Sequence, residues 1–251
     1  MLDASDLRAA LRILMTLMCA AIVSVVIATP SAAQSSDTER GFFLHAEKPW
    51  GACDGNCSWT IMGGKQVTTT MAQLIGVADF TQGEFGFIPR IPFSEWEWEE
   101  SYYIGGALSR RLLTFGHHRV GEVISLEGEI GLAKRFGTQT EFETWGALYA
   151  RWHLFPWGRW VKTSVGVSTG LSYTPSISDW EVDRSGNGEG SRLLHYLSPE
   201  MTFSLPDTPN QELVFRLAHR SGGSDMFGPN SIFNNTSGGA QYFVVGMRYK
   251  F

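Results

Sequence analysis

Beyond residue 33 the chain lacks any apolar run fit to cross a bilayer as a helix, which takes about 20 such residues. Insertion into a membrane is therefore restricted to a closed β-barrel, the other architecture that leaves no backbone group unpaired in hydrocarbon. Basic residues are also short. The 20 Lys and Arg against 25 Asp and Glu give a formal net charge of -5, which argues against a nucleic-acid partner because phosphate binding needs clustered cations. Composition favours a lipid or small-molecule partner instead. With three cysteines and six histidines, no second ligand pair or His cluster accompanies Cys53 and Cys57, so no metal site is expected. A length of 251 residues suits one domain, at roughly 100 to 200 residues per domain.

The N-terminus has the layout of an export signal. Arg8 and Arg12 precede an apolar run from Ile13 to Ala28, and Pro30 is followed by Ser31-Ala32-Ala33-Gln34. Cleavage after Ala33 is expected, removing residues 1–33; the alternative is a membrane anchor, for which the run is short. Only Cys53 and Cys57 then remain. In an exported protein a pair spaced by Asp54-Gly55-Asn56 reads as a small disulfide loop, with zinc or redox chemistry as the weaker alternative. Residues 34–57 read as a periplasmic segment carrying that loop, and residues 58–251 as the barrel.

From Tyr102 onward the sequence falls into stretches of about ten residues that alternate apolar with small or polar, the pattern of barrel strands. In the last, Phe243, Val245, Met247, Tyr249 and Phe251 share one face, and Val244, Gly246, Arg248 and Lys250 the other. A terminal aromatic after such alternation resembles the signal by which outer-membrane barrels are handed to the barrel-assembly machinery, so Phe251 points to the bacterial outer membrane. Strand seven places Leu213, Phe215 and Leu217 outward; strand six Leu193, Leu197, Met201 and Phe203; strand five Val161, Val165, Val167 and Leu171. Strand four offers Phe142, Leu148, Trp152 and Leu154, strand three Val120, Ile124, Leu126 and Ile130, and strand two Tyr102, Ile104 and Leu108. Strand one lies somewhere between Ser58 and Val77. The fold class is thus all-β, an eight-stranded, antiparallel, up-and-down transmembrane barrel.

A barrel of about eight strands is filled by side chains, which disfavours a pore. Inward Glu127, Glu129, Glu143, Arg151, Lys162, Glu200 and Arg216 are expected to pair in the lumen. Segments 155–159 and 205–211 are short and read as periplasmic turns, whereas 79–98, 175–191 and 222–240 are long and read as external loops. Trp96, Trp98, Trp157 and Trp160 near strand ends fit aromatic girdles.

His219 and Ser221 continue the outward row of strand seven at its external end. Residues two apart on a strand lie about 6.6 Å apart, at roughly 3.3 Å per residue, a gap that leaning side chains close to a hydrogen bond. A hydroxyl beside an imidazole base is the minimum for nucleophilic acyl transfer, and on a lipid-facing wall its substrate would be a lipid ester. The competing reading is that the strand has simply emerged among the headgroups, where polar residues carry little cost.

The run Phe215-Arg216-Leu217-Ala218-His219-Arg220-Ser221, an Asn- and Gly-rich loop and a last strand ending Tyr249-Lys250-Phe251 resemble the C-terminal part of outer-membrane lipid A 3-O-deacylases. The resemblance covers about the last forty residues and implies an eight-stranded barrel that hydrolyses an ester-linked acyl chain of lipopolysaccharide, with no cofactor. It implies His219 as general base and Ser221 as nucleophile. Two positions depart from the family: Gly222 stands where an oxyanion-holding Asn is expected, and the segment Asn230-Ser231-Ile232-Phe233-Asn234-Asn235 lacks the family's Glu. A Gly222 N–H, Asn230, Asn234 or Asn235 would then hold the oxyanion. Asp225, the one acid of that loop, would orient His219 or serve as a solvated turn residue. The rival function is a non-catalytic small barrel that binds partners through its external loops.

Overall fold

The computed structural model describes residues 41–48, 50–74, 93–186, 188–223 and 232–251. Ten strands form one antiparallel sheet: β1 (Phe42–Ala46), β2 (Cys57–Val67), β3 (Trp98–His117), β4 (Gly121–Gly137), β5 (Phe142–Trp152), β6 (Lys162–Tyr173), β7 (Leu193–Leu197), β8 (Pro199–Ser204), β9 (Gln211–Ser221) and β10 (Gly239–Lys250). Because β1 and β2 run along the same side of β3, and β7 and β8 along the same side of β9, they amount to eight staves. The ring closes where β10 pairs with β2, Tyr242 opposite Gln66 through Lys250 opposite Ser58. The break between β7 and β8 falls at Pro199, which has no N–H to give the ladder; register is continuous across it. Short helices α1 (Met71–Leu74) and α2 (Asp179–Arg184) sit in two of the long connections.

The sheet begins earlier than the sequence pattern indicated. Phe42 to Ala46 pair with His117 to Leu113, below the point where Cys57 meets Arg110, so part of the segment read as preceding the barrel belongs to its first stave. The alternation there is broken by an inserted loop, which hides the strand from a period-two reading. Cys53 and Cys57 are joined as a disulfide across a turn in which Asp54 and Gly55 both have positive φ, 42° and 86°, the backbone of a type I′ turn. Arg110 fastens the same loop to the wall, donating to the carbonyls of Lys48 (2.8 Å), Gly51 (2.9 Å) and Ala52 (3.1 Å). Closing so short a loop restricts the unfolded chain only modestly. Replacing both cysteines by serine is expected to cost about 2 kcal/mol, read as a small downward shift of the urea midpoint in detergent.

Alternation decides what each face contains. Ile61, Ile104, Leu108, Ile130, Leu132, Leu171 and Met247 point outward and are all largely exposed. Inside, Glu200 receives Arg151 (2.7 Å), Arg216 (2.5 Å) and Arg248 (2.7 Å), and Arg216 also makes a two-pronged pair with Glu129 (2.8 and 2.7 Å). Glu127 pairs with Arg151 and Glu143 with Arg135. Tyr103, Tyr149, Tyr196, Tyr242 and Trp145 fill the space between. The expected lumen network is present, with one correction: Lys162, first residue of β6, is exposed and stands outside it. No helix among the described residues is long and apolar enough to cross a membrane.

Candidate active site

Near the long-loop end the outward face of β9 changes character. His219 and Ser221 follow Leu213, Phe215 and Leu217 in the same row, with Arg216, Ala218 and Arg220 turned inward. The His219 Nε2 to Ser221 Oγ distance is 3.0 Å, so the expected pair forms. Opposite them on β10, Gln241 faces His219 across the ladder, and its Oε1 lies 3.1 Å from His219 Nδ1.

The hydrogen-bond chain fixes the imidazole's tautomer. Gln241 Nε2 donates to the carbonyl of Thr69 at 2.9 Å; a carbonyl only accepts, so the amide nitrogen must lie there and Oε1 must face the ring. Oε1 can only accept in turn, which places the ring proton on Nδ1. Nε2 is left as an acceptor, and the Ser221 hydroxyl donates to it. This is the state a general base needs before it takes a proton from a serine.

The surroundings shelter the chain of bonds. Gln241 and Thr69 are buried although they belong to the outward side of the ring; beside them Leu74 of α1 packs against Leu217 of β9, and Phe93 of the 3-10 turn Phe93–Glu95 against Phe243 of β10. Leu217, Val67 and Leu74 pack there with Trp96, Trp98 and Phe243. His195 of β7 lies directly opposite Ser221 and is buried; its Nε2 is 2.9 Å from Thr169 Oγ1, and its ring is 6.4 Å from that of Phe233. A polar band therefore crosses the wall from Thr169 through His195, Ser221, His219 and Gln241 to Thr69. His195 brings the neighbouring stave into it.

Below the band opens an apolar groove of about 970 Å³. It starts at Leu217 and Phe243, each two residues below a member of the band, and at Leu74 and Trp96. It then passes Phe215, Met201, Val165 and Val167 toward Trp152.

The other site residues expected from sequence fare differently. Gly222 is required by close approach, since a Cβ there would lie 1.8 Å from the Thr236 carbonyl, but its N–H donates to the Gly238 carbonyl at 3.3 Å. Asn234 donates to the Gly190 carbonyl at 3.1 Å, and Asn235 is exposed with φ of 53°. Asp225 and Asn230 lie outside the described residues. Among the described residues, no group of three or more His, Cys, Asp or Glu is placed to hold a metal ion.

Sequence spacing around the serine does not point to Gln241, because Gln241 lies on the next strand and not in the loop that follows Ser221. The signal was present on the next strand: Gln241 is the polar interruption of the outward row Phe243, Val245, Met247, Tyr249, as His219 and Ser221 are of theirs. No family model matches the chain, and no curated protein or solved structure proves similar to it.

Proposed function

We propose that the chain is an outer-membrane β-barrel hydrolase that cleaves an ester-linked acyl chain of lipid A. The observation that carries the reading is the relay Ser221–His219–Gln241–Thr69, set in its reactive tautomer on the outward face of an apolar wall. Burying polar groups on a lipid-facing surface has a cost, and a hydrogen-bonded relay, half-buried at His219 and Ser221 and buried at Gln241 and Thr69, has a use at the head of an apolar groove. The export-signal pattern of residues 8–34 and the apolar exterior support the outer membrane as the location, and the exposed Trp157 and Trp160 support an interfacial girdle at the end opposite the site.

In this reading the acyl chain lies in the groove and its ester carbonyl meets Ser221. Oγ attacks the carbonyl carbon while Nε2 of His219 takes the hydroxyl proton. The ester C–O bond then breaks, and the same proton passes to the departing sugar oxygen. Water attacks the acyl-serine, giving a proton to His219 and freeing the fatty acid, and Ser221 recovers its proton. Gln241 keeps Nδ1 protonated throughout and accepts from it when the ring is cationic. No cofactor enters the cycle.

Mass spectrometry of lipid A from cells expressing the wild type, Ser221→Ala or His219→Ala, with equal insertion of all three, tests the proposal. Loss of one hydroxyacyl mass in the wild type alone is expected. Intact lipid A in every strain, in a host whose lipid A carries the 3-O-linked chain, would overturn the hydrolase and leave the loop-binding barrel.

A further inference from the structure

Between His219 and Ser221 stands Arg220, which alternation sends the other way, into the ring. It is 1% exposed. Its Nη1 reaches both carboxylate oxygens of Glu181 (3.1 and 3.0 Å) and Thr174 Oγ1 (3.0 Å); its Nη2 donates to the carbonyls of Arg192 (3.0 Å) and Ser191 (3.4 Å). Glu181 is the buried residue of α2, and Arg135 of β4 holds it from the far side at 2.9 Å. Both ends of the connection between β6 and β7, and the helix in its middle, hang on one guanidinium.

The chain after Ser221 is tied to the same helix. Ser237 sends its N–H (2.6 Å) and its hydroxyl (2.9 Å) to the Ser185 carbonyl, one residue past α2. At Gly238 the two segments approach so closely that a Cβ would lie 2.1 Å from the Arg184 carbonyl. Ser221 is therefore flanked by α2 on both sides in sequence, through Arg220 before it and through Ser237 and Gly238 after it.

From these contacts we infer that Glu181 is a positioning residue for the Ser221 site, with α2 acting as a keystone in the mouth of the ring that holds the end of β9 in place. Strand ends next to long loops open most readily. The Oγ–Nε2 bond, between residues two apart on such an end, needs the strand held extended. A misplacement of about 1 Å in a reacting group can cost on the order of 10² in rate. The effect on rate rests on the hydrolase reading; the tether itself does not.

The test uses the full barrel in detergent micelles with two readouts, amide hydrogen exchange and ester hydrolysis. Glu181→Ala removes the anchor, and Glu181→Gln keeps an acceptor for both arginines. Ser178→Ala removes the α2 cap, whose Oγ accepts from Glu181 N–H at 3.3 Å, without stripping a buried charge, and it carries the test if Glu181→Ala does not fold. Glu181→Ala is expected to speed exchange of the His219, Arg220 and Ser221 amides at least tenfold, with the middles of β4 and β5 changed less than twofold. The kcat should fall at least tenfold with KM within twofold; Glu181→Gln should recover most of the loss, and Ser178→Ala should shift both readouts the same way by less. Unchanged exchange at 219–221 in folded variants would overturn the tether, and faster exchange with unchanged kcat would overturn the positioning role. Faster exchange in the variants of a wild type that hydrolyses no ester would sink the hydrolase reading and leave the tether standing.

Discussion

In the proposed hydrolase, Gln241→Ala is expected to release acyl chains about 10²-fold more slowly than the wild type, the lower end of what a positioned general base contributes, with Ser221→Ala at the background rate. Without Oε1 at 3.1 Å nothing holds the proton on Nδ1, and whenever Nε2 carries it the imidazole cannot accept from Ser221. The ring also loses its anchor to the opposite strand. Gln241→Glu is the informative companion. A carboxylate on Nδ1 stabilises the imidazolium, so the acid limb of the pH–rate profile should move to higher pH and the plateau rate above it should rise. The gain has an opposing cost, because a carboxylate oxygen would then face the Thr69 carbonyl that now accepts from the amide. Rates of released hydroxy fatty acid for the three variants, measured across pH, check the series; a Gln241→Ala barrel with wild-type kcat would remove Gln241 from the mechanism.

The largest stability effect is expected at Glu200. Three guanidinium groups, from Arg151, Arg216 and Arg248, converge on this one carboxylate, whose side chain is wholly buried. Glu200→Leu would leave three guanidinium groups facing each other across an apolar side chain, each with one remaining carboxylate (Glu127, Glu129 or Glu212), and breaking a buried pair by removing one partner costs about 3–5 kcal/mol. That is comparable with the whole net stability of a domain, about 5–15 kcal/mol. The variant should fail to reach the compact form that migrates faster on unheated gels, or should unfold at a much lower urea concentration by tryptophan fluorescence. Arg248→Met should cost much less, since Glu200 keeps two partners and Glu212 keeps Lys250 at 2.5 Å.

The strands from β3 onward were legible because each follows a period of two over most of its length, as Leu213, Phe215 and Leu217 against Glu212, Val214 and Arg216 show, with β3 shifting only past Arg111. The first stave was not, because residues 47–56 interrupt the pattern between Ala46 and Cys57. The His219–Ser221 pair could be read from spacing alone, since both partners lie on one strand. Its third member could not be read that way: Gln241 is 20 positions from Ser221, and only register, His219 opposite Gln241, brings them together. Thr69 is more remote still, being delivered by a loop whose fold no period describes. Glu181 belongs to the same class, a carboxylate in a loop that reads as solvated until α2 carries it into the ring.

The succession His219, Arg220, Ser221 assigns the outward-facing hydrogen-bonded pair and the inward-facing fastening to alternate residues of one strand. A slip of β9 by a single residue would exchange the two faces, sending a guanidinium onto the apolar outer face and the imidazole and hydroxyl into the ionic interior. Such a ring would be both unstable and inert. Correct assembly and a competent site are in this way the same event, so a one-residue insertion or deletion within β9 has no intermediate outcome between a working barrel and a discarded one.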